Sequence, residues 1–461
     1  MKRNKLTYFI ETFGCQMNER DSETIGGLLE QEGFVQAQDV LDADVVVVNT
    51  CAVRQAAEEK VWSRLGQLVY ESGRRGNVPV IVLAGCMAQL PGTVERIKQR
   101  APYVKLAVGP GHIHRIPELV YRVLEECSAK PVTAVSPSRT EARRTESTQM
   151  LPEGLPRVKV PGVSAYVAIM YGCDNFCSYC IVPFTRGPQV SREPEFIIRE
   201  IQELVDQGYI EITLLGQNVN AYGHDLDRGP GFAGLLERID GIPGIRRIRY
   251  LTSHPRDFTE DMVDVISQSR HVCEHFHLPL QSGSNRILKL MNRGYTREQY
   301  RDLVYYIKDR IPGAAVTTDI IVGFPGETEE DFRDTLDLIQ ELRLDGAFMF
   351  VFSPRKGTAA ARMDNQIPRK QKSDRLQALV EVQNEITRAI NKSLIGTVQE
   401  VLIEGPDSRN PEYYRGRART NKLVVCTTKG PKPGDLVKVR VAEAGTWYLR
   451  GPEAEHPKGH I

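Results

Sequence analysis

The sequence has little net charge, few aromatic residues and no long hydrophobic run. Its 461 residues include 60 Lys and Arg against 59 Asp and Glu, and only 7% of them are aromatic. A net charge of +1 gives no overall attraction to nucleic acid, so any such binding must come from a local patch. Hydrophobic runs such as residues 45–48 fall far short of the ~20 residues that span a bilayer. With 41% hydrophobic and 26% charged residues, the composition is globular and excludes disordered and collagen-like classes.

The first residues of the sequence also lack the pattern expected of a signal peptide. Residues 1–16 contain no apolar core of about 7–15 residues followed by a small-residue cleavage site. We therefore expect a cytoplasmic protein with no membrane partner, in a compartment that keeps thiols reduced. The nine cysteines of such a chain are expected to be metal ligands or packed residues and not disulfides. Their spacing is therefore informative.

The order of strand and helix patterns divides the chain into three regions. Residues 1–145 alternate aliphatic strands with helices, which is typical of a parallel sheet covered on both faces. A stretch rich in Ser, Thr, Pro, Arg and Glu follows, and residues 146–158 are interpreted as a linker. Residues 159–394 resume the alternation with roughly six strand–helix units, which favours an open, partial α/β barrel over a closed one of eight units. Residues 395–457 carry short strands and predict a small antiparallel β-barrel.

The patterns also predict individual elements. Strands are expected at residues 6–10, 45–48, 80–84, 165–170, 211–215, 248–251, 275–280, 315–322, 347–352, 399–404, 422–426 and 436–441. Helices are expected at residues 23–31, 58–70 and 195–206, with another opened by Pro91. Thr328 followed by Asp331 predicts the N-cap of a further helix.

The sharpest motif is a CxxxCxxC pattern directly after a predicted strand, and its residues Cys173, Cys177 and Cys180 are called the loop triad. Three thiolates so close on one loop can reach the same metal centre. A structural zinc site uses four ligands, and no fourth Cys or His lies in the neighbouring segment. A [4Fe–4S] cluster held by three cysteines leaves one iron open to a small chelating molecule. The alternative is that the three cysteines are clustered for packing or by chance.

A second set of cysteines, Cys15, Cys51 and Cys86, is called the strand-end triad. Its members are about one strand–helix–strand unit apart, and each follows a predicted strand and precedes a predicted helix. Because the carboxyl ends of parallel strands meet at one edge of a sheet, the three can converge. Helix N-termini favour thiolates there. This predicts a second three-cysteine iron–sulfur site with an open iron, the alternative being small residues packed at strand ends. The other cysteines, Cys127, Cys273 and Cys426, have no ligand-like spacing and are predicted to be packed.

The cysteines and their surroundings resemble the methylthiotransferases of the radical S-adenosylmethionine (SAM) superfamily over essentially the whole chain. The segments that carry the resemblance are GCQMN at 14–18, NTCAVR at 49–54, GCMAQ at 85–89, YGCDNFCSYCIVP at 171–183 with Arg186 and Gly187, HLPLQSGS at 277–284 and DIIVGFPGE at 319–327. The resemblance implies an N-terminal cluster domain, a central radical SAM partial barrel and a C-terminal TRAM barrel that binds RNA.

The resemblance also implies an activity, methylthiolation of C2 of N6-dimethylallyladenosine (isopentenyladenosine) at position 37 of tRNA, next to the anticodon. The loop triad then holds a [4Fe–4S] cluster that binds SAM and passes it one electron, and the resulting 5′-deoxyadenosyl radical abstracts the C2 hydrogen. The strand-end triad holds an auxiliary [4Fe–4S] cluster that carries the sulfur, which a second SAM methylates.

Further SAM contacts are predicted at the ends of later strands. Members of the superfamily often carry a Gly-Gly-Glu motif after the second barrel strand, and the matching stretch here is Leu215-Gly216-Gln217-Asn218. Gln217 can accept a hydrogen bond there but supplies no charge. The next candidates are Gln281, Ser282, Gly323 and Glu327, and a loop-shaping role is the alternative for each.

A basic patch lies in the last region. Between Arg409 and Arg440, nine basic residues stand against two acidic ones. On the short strands of a small barrel such charge suits contacts to phosphates, which give affinity without sequence readout. A solvated basic face is the alternative. The predicted RNA-binding residues are Arg415, Arg417, Arg419 and Lys422.

The expected partners follow from the implied reaction. They are tRNA carrying dimethylallyladenosine, an electron donor such as flavodoxin or ferredoxin, and a supplier of sulfur or of an iron–sulfur cluster, with the protein as a monomer. The same chemistry on a threonylcarbamoyladenosine tRNA or on an aspartate of a ribosomal protein is an alternative, although residues 51–54 and 416–422 look more like the dimethylallyladenosine branch. A non-catalytic iron–sulfur protein that binds RNA accounts for the clusters but not for two open irons. A zinc-bound RNA module is a further alternative.

Overall fold

The computed structural model describes residues 5–52, 55–76, 78–126, 132–135, 151–158, 162–428 and 430–454. Cys127, Lys429 and linker residues 146–150 lie outside the described residues. No helix in the described ranges is both long and apolar enough to cross a membrane.

The first region is a parallel sheet covered by helices on both faces, as predicted. Its elements are β1 (Thr7–Phe13), α1 (Gln16–Gln31), β2 (Val35–Gln36), β3 (Val45–Thr50), α2 (Gln55–Arg75), β4 (Val80–Gly85), α3 (Thr93–Arg100), β5 (Val104–Val108), α4 (Ile116–Glu126) and β6 (Val132–Ala134). The strand order is β2-β1-β3-β4-β5-β6, with every pair parallel. Consecutive valines of β3 alternate between two hydrophobic clusters, one lined by α1 and α4 and the other by α2 and α3. A uniformly aliphatic strand is therefore buried on both sides.

The three helices predicted in this region differ from the prediction at their starts. Helix α2 begins at Gln55 and not at residue 58. Helix α1 begins at Gln16, directly after Cys15, and not near residue 23. Helix α3 begins at Thr93 and not at Pro91, because the chain turns through Gly92 at a φ of 83°.

The central region is a partial barrel of six parallel strands, as predicted. Its elements are β7 (Ser164–Ala168), β8 (Met170–Tyr171), α5 (Val182–Thr185), β9 (Val190–Ser191), α6 (Pro194–Asp206), β10 (Glu211–Leu215), α7 (Gly231–Asp240), β11 (Arg247–Tyr250), α8 (Glu260–Gln268), β12 (His275–His277), α9 (Asn285–Leu290), α10 (Arg297–Arg310), β13 (Ala315–Val322), α11 (Glu329–Leu342), β14 (Gly346–Val351) and α12 (Arg369–Ser393). Strands β11-β10-β7 and β12-β13-β14 form two parallel halves, joined by a bridge between Ile248 and Val272.

Two predicted strands of the central region are shorter than expected. The run at 165–170 is divided, since β7 ends at Ala168 and β8 pairs antiparallel with β9 instead of continuing the barrel. The run at 275–280 ends at His277. Directly after that run, Gln281 adopts a φ of 72°, which no regular strand accommodates.

The last region is a curled six-stranded sheet. Its strands are β15 (Val398–Pro406), β16 (Tyr414–Ala418), β17 (Leu423–Cys426), β18 (Leu436–Arg440), β19 (Glu443–Ala444) and β20 (Leu449–Gly451), in the order β18-β15-β16-β17-β20-β19. An antiparallel bridge from Val439 to Glu453 brings the sheet back on itself. The predicted antiparallel pairing is confirmed at four strand pairs, and β17 and β20 differ from it in running parallel.

Candidate functional site

The strand-end triad lies at the carboxyl edge of the first sheet. Phe13 of β1 is in register with Thr50 of β3, and Thr50 is in register with Gly85 of β4, so the three strands end level with one another. Neighbouring strands are about 4.8 Å apart. Each cysteine of the triad follows within two residues of these positions. The fold therefore brings together three cysteines that are far apart in the sequence.

Hydrogen bonding and charge favour the thiolate form of Cys15 in this triad. A hydrogen bond from Cys51, assisted by the positive charge of Arg186 and opposed by burial, lowers the pKa of Cys15 to about 6. Burial raises the pKa of Cys86, and Arg186 opposes this by donating Nε–H to Cys86 Sγ at 3.2 Å. A thiolate is the form of cysteine that binds metals.

Two buried asparagines fix the turns that carry Cys15 and Cys51. Asn18 Nδ2 donates to Asn49 Oδ1 at 3.1 Å and to the Thr50 carbonyl at 3.2 Å. Asn49 Nδ2 donates to the Asn18 carbonyl at 2.8 Å. The amides therefore tie the start of α1 to the end of β3.

The loop triad lies in a loop whose neck is closed by the β8–β9 pair. The Cys173 N–H donates to the Gly187 carbonyl at 3.1 Å. Ser178 is held from two sides, with its N–H donating to the Met291 carbonyl and its carbonyl accepting from Ala360. The loop is thus fixed to the barrel although it contains no regular strand.

The donor set of the loop triad fits an iron–sulfur cluster. Burial raises the pKa of Cys173 to about 11 and that of Cys180 to about 12. Thiolates buried in this way need positive charge beside them. The buried Arg293 supplies positive charge to this triad, and its Nη1–H donates to Cys177 Sγ at 3.3 Å. Among the described residues, no group of three or more His, Cys, Asp or Glu side chains is arranged to hold a metal ion. In a four-iron cluster, by contrast, each cysteine binds a different iron, so the sulfurs need not converge on one point.

The two triads are neighbours. Ile181, the residue directly after Cys180, packs in one small buried cluster with Ala52 and Cys86. The loop that carries one triad therefore contacts the sheet edge that carries the other.

The predicted SAM-contacting residues occupy different environments. Gln217 is half-buried directly after β10. Gln281 is buried, and its Oε1 has no hydrogen-bond partner among the described residues, which leaves an acceptor for a ligand. Ser282 Oγ accepts from the N–H of Ser284 at 3.2 Å and so shapes its own turn.

The remaining two SAM candidates, Gly323 and Glu327, bond to each other. Glu327 Oε2 accepts from the Gly323 N–H at 2.6 Å and from Arg375 Nη1 at 2.7 Å. These bonds give Glu327 a loop-shaping role, and SAM contact by all five candidates stays a prediction.

All three regions line one cavity of about 790 Å³. Cys15 and Cys51 are among the lining residues, as are two exposed aromatic residues, Phe348 of β14 and Trp447 of the last region. These two side chains are 60% and 63% exposed. His277 stands edge-on to the Phe348 ring at 5.8 Å between centroids. No motif or spacing in the sequence marks either aromatic residue, so sequence analysis assigns no role to them.

Most of the predicted RNA-binding side chains already have partners within the protein. Arg419 pairs with Glu274 at 2.6 Å, and Lys422 pairs with Asp345 at 2.7 Å, so both connect the last region to the barrel. Arg417 Nη1 donates to the Asn421 carbonyl at 3.1 Å. Arg415 is exposed. Their contact with RNA stays a prediction.

Comparisons with known proteins agree with this architecture. Family profiles match at residues 7–109 (uncharacterized protein family UPF0004), 167–339 (radical SAM superfamily) and 392–452 (TRAM domain). The solved radical S-adenosylmethionine methyltransferase TsrM of Kitasatospora setae, with cobalamin and a [4Fe-4S] cluster bound, shares the fold at a TM-score of 0.52 and 16% identity, over 86% of this chain and 81% of that one.

Much closer relatives share nearly the whole length. A tRNA-2-methylthio-N(6)-dimethylallyladenosine synthase of Moorella thermoacetica is 49% identical over 98% of this chain and 99% of its own. The enzyme of the same name from Pelotomaculum thermopropionicum is 49% identical over 96% of this chain and 97% of its own. A third enzyme of this name, from Symbiobacterium thermophilum, is 49% identical over 97% of this chain and 94% of its own. The chain therefore belongs to the tRNA-2-methylthio-N(6)-dimethylallyladenosine synthase family, within the radical SAM superfamily.

Proposed function

We propose that this chain transfers a methylthio group to C2 of N6-dimethylallyladenosine at position 37 of tRNA. The proposal is carried by two adjoining cysteine triads, of which the strand-end triad lies beside the cavity. Cys15 and Cys51 line that cavity, and the residue after Cys180 packs on Cys86. A reaction that needs a radical source and a sulfur source at the same base requires such an arrangement.

Each triad is proposed to hold one [4Fe–4S] cluster through its three cysteines. When bound, the clusters and SAM supply the electron, the radical, the sulfur and the methyl group. The chain holds the thiols in place, through the Asn18–Asn49 amides at one triad and the β8–β9 neck at the other. Gln217, Gln281, Ser282, Gly323 and Glu327 remain the proposed surroundings of SAM.

The cavity is proposed to receive the modified adenine. Enzymes that do chemistry on a base take it out of the stack into a pocket. The exposed rings of Phe348 and Trp447 offer faces on which the base or its dimethylallyl group can pack. Asp319, whose Oδ1 lies 3.4 Å from His277 Nε2, adds a polar group to the same wall.

The last region is proposed to hold the tRNA near the mouth of this cavity. Arg417 and Lys422 line the cavity, and Arg415 is exposed on β16. We propose that Arg415 contacts phosphates, while Arg419 and Lys422 mainly keep the last region docked on the barrel.

The other partners and the setting are part of the proposal. They are a reductant such as flavodoxin or ferredoxin, a supplier of sulfur or of a cluster, a monomeric state and the cytoplasm. The proposed domain boundaries are 1–145, 146–158, 159–394 and 395–457.

The test is mass spectrometry of tRNA digests after anaerobic reconstitution with SAM and dithionite. The parent chain is expected to bind about eight irons and to form the methylthio nucleoside. Cys15→Ala is expected to bind about four irons and to make 5′-deoxyadenosine without the methylthio product. Cys173→Ala is expected to make neither compound.

Cys273→Ala is the matched control, because Cys273 is buried away from both triads and its variant should keep both products. Methylthio product from folded Cys15→Ala contradicts the proposed sulfur site. Methylthiolation of threonylcarbamoyladenosine tRNA in preference to the dimethylallyl substrate contradicts the proposed substrate.

A further inference from the structure

Two arginines of the central region reach the part of the first region that carries the strand-end triad. Arg186 donates Nε–H to Cys86 Sγ at 3.2 Å, and its Nη2 pairs with Asp21 at 3.0 Å. Arg355 pairs through Nη1 with Glu58. Burial lowers the pKa of Arg355, whereas the negative charges of Glu58 and Cys51 act against that lowering. Arg186 therefore contacts a cysteine of the triad, and Arg355 pairs with the first turn of α2, the helix that follows Cys51.

Two of the N–H groups of Arg355 are buried without a hydrogen-bond acceptor in the described part of the chain. Its side chain is buried, with the residue 7% exposed, and its Nε and Nη2 have no hydrogen-bond partner among the described residues. A buried donor without a partner costs about 1–3 kcal/mol, and more when it is charged. Such donors indicate an anionic group that belongs beside them.

The ion pair with Glu58 does not by itself explain why Arg355 is buried at this position. Arg96 Nη1 also contacts Glu58, at 3.3 Å from Oε2, so the carboxylate has a cation from its own region. Arg186 likewise has one nitrogen on Asp21 and another on sulfur. In both cases the carboxylate uses only part of the guanidinium.

We propose that Arg186 and Arg355 neutralise the cluster held by the strand-end triad and thereby raise its reduction potential. This inference rests on the proposed function, since it requires that cluster. Reduction adds one electron and makes the cluster one unit more negative, so nearby positive charge stabilises the reduced form. Net charge and hydrogen bonds to the sulfurs are the means by which proteins set such potentials. The two arginines thus belong to the central region, although they set the potential of a cluster held by the first region.

The test is a redox titration of the strand-end cluster, monitored by electron paramagnetic resonance. The parent is the full-length chain carrying Cys173→Ala, Cys177→Ala and Cys180→Ala, which leaves only that cluster. Arg186→Gln and Arg355→Gln are each expected to shift the oxidised-to-reduced equilibrium at least threefold toward the oxidised form. With 59 mV per tenfold for one electron, this lowers the potential by about 28 mV or more.

Glu58→Gln is the control for a role confined to the ion pair. It removes the partner of Arg355 but keeps the positive charge, so the potential should stay level or rise. A shift below threefold in Arg186→Gln or in Arg355→Gln overturns the inference, as does a lowering of the potential in Glu58→Gln equal to that in Arg355→Gln.

A variant that loses the cluster still gives an answer. If Arg355→Gln binds no iron, Arg355→Lys is expected to retain the cluster with a potential within threefold of the parent equilibrium, and loss in both overturns the inference. Failure of the parent itself to bind about four irons through the strand-end triad refutes instead the proposed function.

Discussion

Glu200 is a single carboxylate shared by three buried arginines. It pairs with Arg192 at 2.7 Å and Arg157 at 2.9 Å, and Arg20 of α1 lies at 3.9 Å. Burial alone raises the pKa of Glu200, but the three guanidinium groups more than offset burial and hold the pKa below its usual value. One side chain therefore ties α1 and the end of the linker to the barrel.

The charge of Glu200 makes the stability of this junction dependent on pH. The pKa of Glu200 is lower in the folded state than in the unfolded state, where it is about 4.3. The contribution of Glu200 to the free energy of unfolding is therefore complete above about pH 4.3 and is lost as the pH falls through the lower, folded-state pKa. Glu200→Gln is expected to cost about 3 kcal/mol at pH 7, since it leaves buried arginines without their anion. Urea unfolding at several pH values should show that the difference in unfolding free energy between the parent and Glu200→Gln becomes smaller below about pH 4.

Glu203→Gln is the control for this prediction. Glu203 is exposed on the same helix, so its substitution should change the unfolding free energy by less than about 0.5 kcal/mol. A gap between parent and Glu200→Gln that stays constant from pH 7 to pH 3 contradicts the assigned role.

At the scale of elements, the start of α11 shows a cap that the sequence predicted. Thr328 Oγ1 accepts from the Asp331 N–H, and Asp331 Oδ2 accepts in return from the Thr328 N–H at 2.8 Å. Thr328→Ala is expected to lower the free energy of unfolding by about 1 kcal/mol, because it leaves a helix N–H without its acceptor. Thr328→Ser keeps the hydroxyl and should lose much less. An equal loss in both variants, measured by denaturant unfolding, contradicts the capping role.

The sequence predicted elements well where one periodicity dominates. The valines of β3 and the strand β13 match their predicted ranges almost residue for residue. Strand β16 was missed because its sequence, YRGRA, has no apolar alternation. It is a strand because Gly416 lets β15 approach closely, where an added Cβ would lie 2.0 Å from the Leu402 carbonyl oxygen. Such a contact depends on the partner strand, which local sequence does not specify.

At the scale of the whole molecule, the charges of the last region serve two purposes. Arg419 and Lys422 face acids of the barrel, whereas Arg415 is exposed. Arg415→Ala is therefore expected to weaken tRNA binding several-fold and to reduce the slope of log K against log salt by about 1. Filter binding or fluorescence anisotropy over a range of salt concentrations measures both quantities.

Arg333→Ala is the matched control, since Arg333 is an exposed arginine on α11 of the barrel. It removes the same charge and should leave the salt slope unchanged. Equal slopes for the parent and Arg415→Ala contradict the phosphate contact.

The site was predictable only in part. The features that local sequence encodes could be predicted, whereas those that arise when the regions pack together could not. Cysteine spacing and strand ends identify the two triads, because parallel strands finish at a common edge. Phe348 and Trp447 come from different regions and share one cavity only after the regions dock. Arg355 and Glu58 are likewise 297 positions apart. Pairings of this kind arise from how the regions pack, and no local pattern encodes them.

The separation of these partners along the chain has a consequence for biosynthesis. A ribosome completes all three thiols of the first sheet long before it reaches the guanidinium groups at positions 186 and 355. Until then, an inserted cluster would sit at an edge without the neighbouring cations that balance it. We therefore expect iron to enter this edge after translation has passed the barrel and the regions have closed, so that folding of the later region governs maturation of the earlier one.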